Sequence, residues 1–202
     1  MYYTIRDYLQ SCTQDFHLIP NERKALLVKL GAYIKQKYIG SHPVLLTFIC
    51  THNSRRSHFG QVAAALAASY YSIEDVHSYS GGTEATSLNL NALHALERLG
   101  LKIESDGQTI NPRYLLYFSN QDPIVCFSKM FDHPSNPKNE FAAIMTCSDA
   151  DENCPFIPGA EIRIATTYED PKKADGLPGQ DRIYDERLRQ ITSEVMYAFS
   201  LV

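Results

Sequence analysis

Cys50 closes a short apolar run, "VLLTFI" at positions 44–49, and Arg56 follows six residues later in "CTHNSRRS", just ahead of an alanine-rich run. A Cys-x5-Arg loop that feeds a helix has definite chemistry. The successive amides of a tight loop and the first free N–H groups of the helix converge on one spot, which suits an anion. Arg56 adds a planar fork able to grip two oxygens of a tetrahedral oxyanion. The same positive field favours thiolate over thiol, so Cys50 becomes a nucleophile aimed at the captured oxyanion. Thr51, His52, Asn53, Ser54, Arg55, Arg56 and Ser57 are the expected oxyanion-binding residues. Ser57 could donate a hydrogen bond to the thiolate, and Asn53 could tie the loop into shape. A bare Cys-x5-Arg also fits a structural cysteine followed by arginines on a solvated turn. The strand before it and the helix after it are the setting the anion-binding reading requires.

The surrounding elements follow from periodicity. "TIRDYLQSC" offers Ile5, Tyr8, Leu9 and Cys12 on one helical face, and "NERKALLVKLGAYIKQKY" offers Leu26, Leu30, Tyr33 and Ile34, with Asn21 as the expected cap after Pro20. "GSHP" breaks the pattern, so residues 1–42 read as an N-terminal helical extension and 43–202 as the catalytic domain, the two forming one compact unit. "VLLTFI" has the length and apolarity of a fully buried strand. Phe59, Val62, Ala63, Leu66, Ala67 and Tyr70 recur at helical spacing. "VHSYS" is a weaker strand. "NLNALHALERLG" predicts a helix with Leu93 and Leu96 inward and Gly100 at its end. "RYLLYF" and "IVCFSKMF" flank "SNQDP" and predict a β-hairpin within 113–131. "FAAIMTC" is another buried strand, "DPKKADGLPGQD" a polar loop, and the chain closes on a helix with Leu188, Ile191, Val195 and Phe199 on one face. This order predicts an α/β fold, doubly wound around a mostly parallel sheet, with its functional loops at the carboxyl ends of strands. Cys50 and Cys147 both fall at such ends.

The 202 residues suit one sizeable domain, and the net charge of −4 argues against a general nucleic-acid binder. Neither a membrane-spanning run nor a signal-peptide pattern is read, so the expectation is a cytoplasmic protein that binds neither membrane nor nucleic acid. The cysteines, Cys12, Cys50, Cys126, Cys147 and Cys154, are odd in number and irregularly spaced. In a reducing compartment that favours free, catalytic or redox-active thiols. Neither they nor the histidines have metal-ligand spacing, so no metal and no bound cofactor are expected. Cys126 reads as core, and Cys12 carries no assigned role.

"FICTHNSRRS" resembles the phosphate-binding loop shared by low-molecular-weight protein tyrosine phosphatases and thioredoxin-coupled arsenate reductases. "SGGTEA" at 80–85 resembles the motif that ends the second strand of that family. "MTCSDADENCP" is closer to the arsenate reductases, which carry two redox cysteines separated as Cys147 and Cys154 are. The resemblance spans roughly 44–170 and implies a four-stranded sheet flanked by helices. The N-terminal helices and the inserted hairpin lie outside the minimal pattern and could shape a lid or an oligomer contact. The family usually has glycine where His52 stands, and a small residue or cysteine where Arg55 stands. Arg55 could strengthen oxyanion attraction or point to solvent.

The resemblance also implies a general acid. In the family it is an aspartate before a proline, which "YEDPKK" supplies as Asp170, with Glu169 as the spare candidate. Lys172 and Lys173 follow where the phosphatases commonly have aromatics, which suits a small inorganic anion. The implied reaction is reduction of arsenate. Cys50 attacks arsenic, Cys147 attacks the adduct and Cys154 then takes over the disulfide. Thioredoxin or a similar dithiol protein resets the pair, and glutathione or a glutaredoxin could substitute. The pairing requires the polar segment "SDADEN" to refold. Two alternatives remain: a phosphomonoester hydrolase using Cys50, Arg56 and Asp170 without the relay, and a non-catalytic phosphate or phosphoprotein sensor. Oligomeric state is not legible.

Overall fold

A computed structural model describes residues 1–153 and 156–202, with Asn153 by its main chain alone. Four strands, β1 (Val44–Cys50), β2 (Val76–Gly82), β6 (Phe141–Met145) and β7 (Ala160–Ala165), form a wholly parallel sheet in the order β2-β1-β6-β7. The central strands are buried on both faces, as the unbroken apolar runs require. Leu46, Phe48, Ala142 and Ile144 face one hydrophobic cluster, and Ile49, Phe141, Ala143 and Met145 face another.

The two clusters are unequal. The larger is roofed by α1 (Tyr3–Thr13), α2 (Asn21–Ile39), α3 (Arg56–Tyr71), α4 (Leu90–Leu99) and α6 (Gln180–Phe199). These contribute Ile5 and Leu9, Leu27 and Leu30, Phe59 and Leu66, Leu93 and Leu96, and Leu188, Ile191 and Phe199. Small residues on α3 let it press onto the sheet. At Gly60 an added Cβ would lie 2.6 Å from Phe48 Cγ. The smaller cluster is covered by the short helix α5 (Ser148–Asn153) through Ala150, and by Ile157 and Phe131. Cys50 and Cys147 both belong to it.

Several details depart from expectation. The hairpin is present as β4 (Tyr114–Tyr117) and β5 (Ile124–Cys126), but β3 (Lys102–Ser105) joins it to make a three-stranded antiparallel sheet. β3 is mostly exposed and polar, so it lacks a periodic apolar signal. β7, read as no element from the sequence, is an edge strand whose Glu161 and Arg163 interrupt the apolar pattern. "SDADEN", read from the sequence only as a polar segment able to refold, is α5, with Asp149 and Asp151 complementing its N-terminal dipole. Asn21 is the first residue of α2 rather than its cap. Pro20 holds the cap position, and no side chain caps the helix.

The N-terminal helices share the larger cluster and also grip the segment that leads to Asp170. Arg23 of α2 donates to the Thr167 carbonyl at 2.6 Å and lies over the Tyr168 ring at 5.1 Å. Among the described residues no helix is long and apolar enough to cross a membrane.

Candidate active site

Cys50 is the last residue of β1 and Arg56 the first of α3, so the loop between them is the link from strand to helix. Its carbonyls are engaged on the outside. Thr83 N–H donates to the Cys50 carbonyl at 3.1 Å and Glu84 N–H to that of Thr51 at 2.8 Å. Thr86 Oγ1 and Ser128 Oγ donate to the His52 carbonyl at 3.0 and 3.1 Å. Asn89 N–H donates to the Ser54 carbonyl at 3.0 Å. The N–H groups of residues 51–55 have no backbone acceptor among the described residues, which leaves them to the interior of the loop. Gly82 passes close beneath, where a Cβ would sit 2.6 Å from the Thr51 carbonyl oxygen and 2.8 Å from Asn53 N.

Asn53 is fully buried and holds the left-handed turn of the loop at φ 44°. Its Nδ2 donates to Ser57 Oγ at 2.8 Å, and its Oδ1 accepts from Lys129 N–H at 2.8 Å. Ser57 Oγ lies 3.1 Å from Cys50 Sγ. With Asn53 already donating to that oxygen, the Ser57 hydroxyl proton is free to point at the sulfur. His58 Nε2 sits 2.9 Å from the Asn53 carbonyl, so Nε2 carries the proton and Nδ1 accepts from Ser80 Oγ at 3.1 Å. Burial, and then the charge of Lys129, push His58 down to about 3, so the ring is neutral.

Arg56 is nine-tenths buried. Its Nη1 donates to the Tyr168 carbonyl at 2.8 Å and its Nη2 to Asp170 Oδ2 at 2.7 Å. Its Nε is buried with no hydrogen-bond partner among the described residues. Asp170 caps the 3-10 helix Pro171–Ala174, accepting from Lys172 N–H at 3.0 Å. Glu169, the spare candidate, is exposed and lies 3.8 Å from Arg187.

Arg55 does not point to solvent. Its Nε donates to Tyr184 Oη at 2.7 Å and its Nη2 to Asp175 Oδ2 at 2.9 Å, so its charge is paired within the fold. Tyr184 donates in turn to Asp175 Oδ1 at 2.6 Å. Burial alone would raise the Asp175 carboxyl, but the Tyr184 and Arg55 bonds hold it below the usual range, while burial and Asp175 push Tyr184 up to about 12. This network fastens the segment after Asp170 to the loop and to α6. His52 stays exposed at the mouth, 3.5 Å from Glu84. Lys172 and Lys173 are exposed.

Cys147 arrives from the neighbouring strand. Thr146 N–H and Oγ1 donate to the Ile49 carbonyl at 2.7 and 2.9 Å, extending the β1–β6 pairing past its end. Cys147 is therefore level with Thr51, and its sulfur lies 3.4 Å from Thr51 Oγ1. It is fully buried, and Ala150 N–H donates to its sulfur at 3.4 Å, so it caps α5. Cys154 lies outside the described residues. Cys126 is buried core, pushed up to about 12 by burial, and Cys12 is buried on α1.

Sequence reasoning did not reach Tyr168, Asp175, Tyr184, Ser128 or Lys129, which hold the loop and its arginines from distant positions. Of the supporting residues, Asn89 carried a local signal, as a cap before an apolar helix. It caps α4 through its Oδ1.

No family model matches the chain. Among curated proteins, an arsenate reductase of Halalkalibacterium halodurans is 31% identical over 147 residues, covering 72% of this chain and 86% of that protein. One from Shouchella clausii is 29% identical over 145 residues, covering 72% and 86%. Among solved structures, a low-molecular-weight phosphotyrosine phosphatase from Vibrio cholerae O395 superposes with a TM-score of 0.52 at 14% identity, covering 76% of this chain and 93% of that one. A low-molecular-weight protein tyrosine phosphatase from T. tengcongensis superposes with a TM-score of 0.51 at 14% identity, covering 79% and 99%. The structural likeness establishes the phosphatase-type fold, and the sequence likeness places the chain within it: this protein belongs to the arsenate reductase family built on the low-molecular-weight protein tyrosine phosphatase fold.

Proposed function

We propose that the protein reduces arsenate to arsenite by a three-cysteine relay. Arsenate occupies the loop, its oxygens taking the N–H groups of residues 51–57 and the Arg56 guanidinium. It displaces Asp170 from Arg56. The Cys50 thiolate, supported by Ser57, attacks arsenic, and protonated Asp170 gives its proton to the departing oxygen, which leaves as water. The Cys147 thiolate then attacks Cys50 sulfur. The electron pair of the sulfur–arsenic bond passes to arsenic, which leaves as arsenite, and a Cys50–Cys147 disulfide remains. Cys154 attacks Cys147, releasing Cys50 as thiolate, and an external dithiol protein of the thioredoxin kind reduces Cys147–Cys154.

The observation that carries this reading is the Cys147 sulfur packed against Thr51, the residue next to Cys50. A phosphatase needs Cys50, Arg56 and Asp170 but has no use for a second thiol there. The relay also demands motion. The six residues of α5 alone rise about 9 Å, whereas disulfide Cα atoms lie ~4.4–6.8 Å apart. The helix must therefore unwind for Cys154 to reach Cys147. A dithiol reductant and free thiols fit a cytoplasmic setting.

Arsenite production with thioredoxin, thioredoxin reductase and NADPH, measured beside aryl phosphate hydrolysis, tests the proposal. Cys147→Ser is expected to abolish arsenate turnover and to spare any phosphate hydrolysis, with a Cys147–Cys154 disulfide mapped by mass in wild type after one turnover. Equal arsenate turnover by the wild type and Cys147→Ser would remove the relay. Aryl phosphate hydrolysis without arsenate turnover would favour the phosphatase, and oxyanion binding with neither would favour a sensor.

A further inference from the structure

A second cationic cleft lies behind the loop, between the open edge of β2 and the inserted antiparallel sheet. Its volume is about 440 Å³, and no carboxylate lines it. Lys129 stands in its wall, 4% exposed, and its ammonium has no hydrogen bond or ion pair among the described residues. The ammonium instead lies 4.6 Å from the centre of the Phe127 ring. Arg113, exposed at the rim, approaches the same ring at 4.7 Å and has no carboxylate partner among the described residues. Burying an ammonium without an anion is costly.

The neighbouring groups do not offset these two charges. Burial pushes the Lys129 ammonium down to about 8, with Cys126 opposing and Arg113 adding to the shift, so it is still mainly charged at neutral pH. Cys126 on β5 and His58 on α3 are both neutral there, pushed up to about 12 and down to about 3 respectively. His77 on β2 is engaged with Asp75 at 2.8 Å, and His133 packs edge-on against Phe127. Two positive charges thus converge in a protein of net charge −4. The hydroxyl-bearing Ser78 and Ser135 line the same space, and Ile124 and Val125 provide an apolar wall.

We infer that this cleft is a second oxyanion site, distinct from the Cys50 loop, which takes the phosphate of a small ligand between Lys129 and Arg113. A point charge and a planar fork lining one cleft beside the same ring suit a tetrahedral oxyanion. The site is wired to the loop through one residue: Lys129 N–H donates to Asn53 Oδ1, and its carbonyl accepts from Gly82 N–H at 2.9 Å. It stands independently of the reaction proposed at Cys50.

Amide NMR of the reduced full-length protein, titrated with inorganic phosphate and in parallel with adenosine monophosphate, tests it. Two groups of signals are expected to move with separate saturation, residues 51–57 and the edge residues Ser78 and Tyr79. Lys129→Met should weaken the second response by about tenfold or more, the loss of one charge-assisted bond. Arg113→Ala, at an exposed position that burdens folding little, should weaken the second alone, and Arg56→Ala the first alone. Saturation at lower adenosine monophosphate than phosphate would identify a phosphate ester as the ligand, and equal or tighter phosphate binding would identify the free ion. Unmoved edge residues with both probes, or an edge response unchanged in both Lys129→Met and Arg113→Ala, would overturn the site.

Discussion

The two candidate sulfurs sit side by side in one hydrophobic cluster, yet their supports are built differently. Around Cys50 nearly every polar group has a fixed partner. Asn53, Ser54 and Ser57 are bonded within the loop and α3 and from the segments at Ser87 and Lys129, and a buried neutral histidine braces the turn from behind. Cys147 instead leans on a helix of six residues, which is tied to β7 through Arg163 and Asp151. The first arrangement fixes geometry before a guest arrives, which is what transition-state stabilisation by oriented dipoles requires. The second can come apart at low cost, because isolated short helices are marginal. The contrast teaches that neighbouring strand ends of one sheet can carry a densely bonded loop and a short, sparsely tied helix side by side.

The contrast can be attacked first at the fixed end. Asp170→Asn can keep the cap on Lys172 N–H through its one carbonyl oxygen, but it gives up the bond from Arg56 Nη2 and removes the proton donor. Turnover of both arsenate and aryl phosphate should fall by ~10²–10⁴, read as kcat at saturating substrate. Asn53→Ala removes both side-chain bonds and places a residue with a Cβ at φ 44°. A stability loss of roughly 2–4 kcal/mol is expected from these combined losses, measured by urea unfolding, with Asn53→Gly recovering the backbone part alone.

The brace at His58 gives a pH dependence. The folded ring stays neutral down to about 3, whereas in the unfolded chain it takes up a proton near ~6.5. The unfolded state therefore binds more protons between these values. Stability contributed at neutral pH is lost as pH falls from ~6.5 toward 3, on the order of 2–3 kcal/mol by pH ~4.5. His58→Gln should flatten the urea midpoint across that window, and an equal acid slope in wild type and variant would remove the assignment. The smallest effect is expected at the loose end. Arg163→Ala should free α5 and speed closure of the Cys147–Cys154 disulfide by a few-fold in single-turnover quench experiments, with little change in the first chemical step. A slower closure would mean that α5 guides the exchange rather than restraining it.

The parts of this design that reside in contiguous residues were legible in the sequence. The loop 50–57 announced itself because strand, amide-rich turn, arginine and helix start are consecutive, and α3 and α6 because their apolar residues recur at helical spacing over many turns. β7 and β3 were not legible, since a short strand with Glu161 and Arg163, or with Lys102 and Glu104, is too polar to stand out. The destination of Arg55 was beyond local reading for another reason. Asp175 and Tyr184 lie far along the chain, and tertiary packing alone brings them to it. α5 was missed because its residues favour caps and turns as well as helix, and a buried sulfur at its start stabilises it.

The nearness of the two sulfurs is inherited from strand pairing. β1 and β6 lie side by side in fixed register, Ile49 opposite Met145, so the spacing of adjacent parallel strands, about 4.8 Å, sets how far apart their carboxyl ends can be. A slip of two residues would carry one thiol some 6.6 Å along the sheet and out of reach. An engineer seeking to transplant this thiol pair into another parallel sheet would need two neighbouring strands whose terminal cysteines are one residue out of step, more than any copied loop.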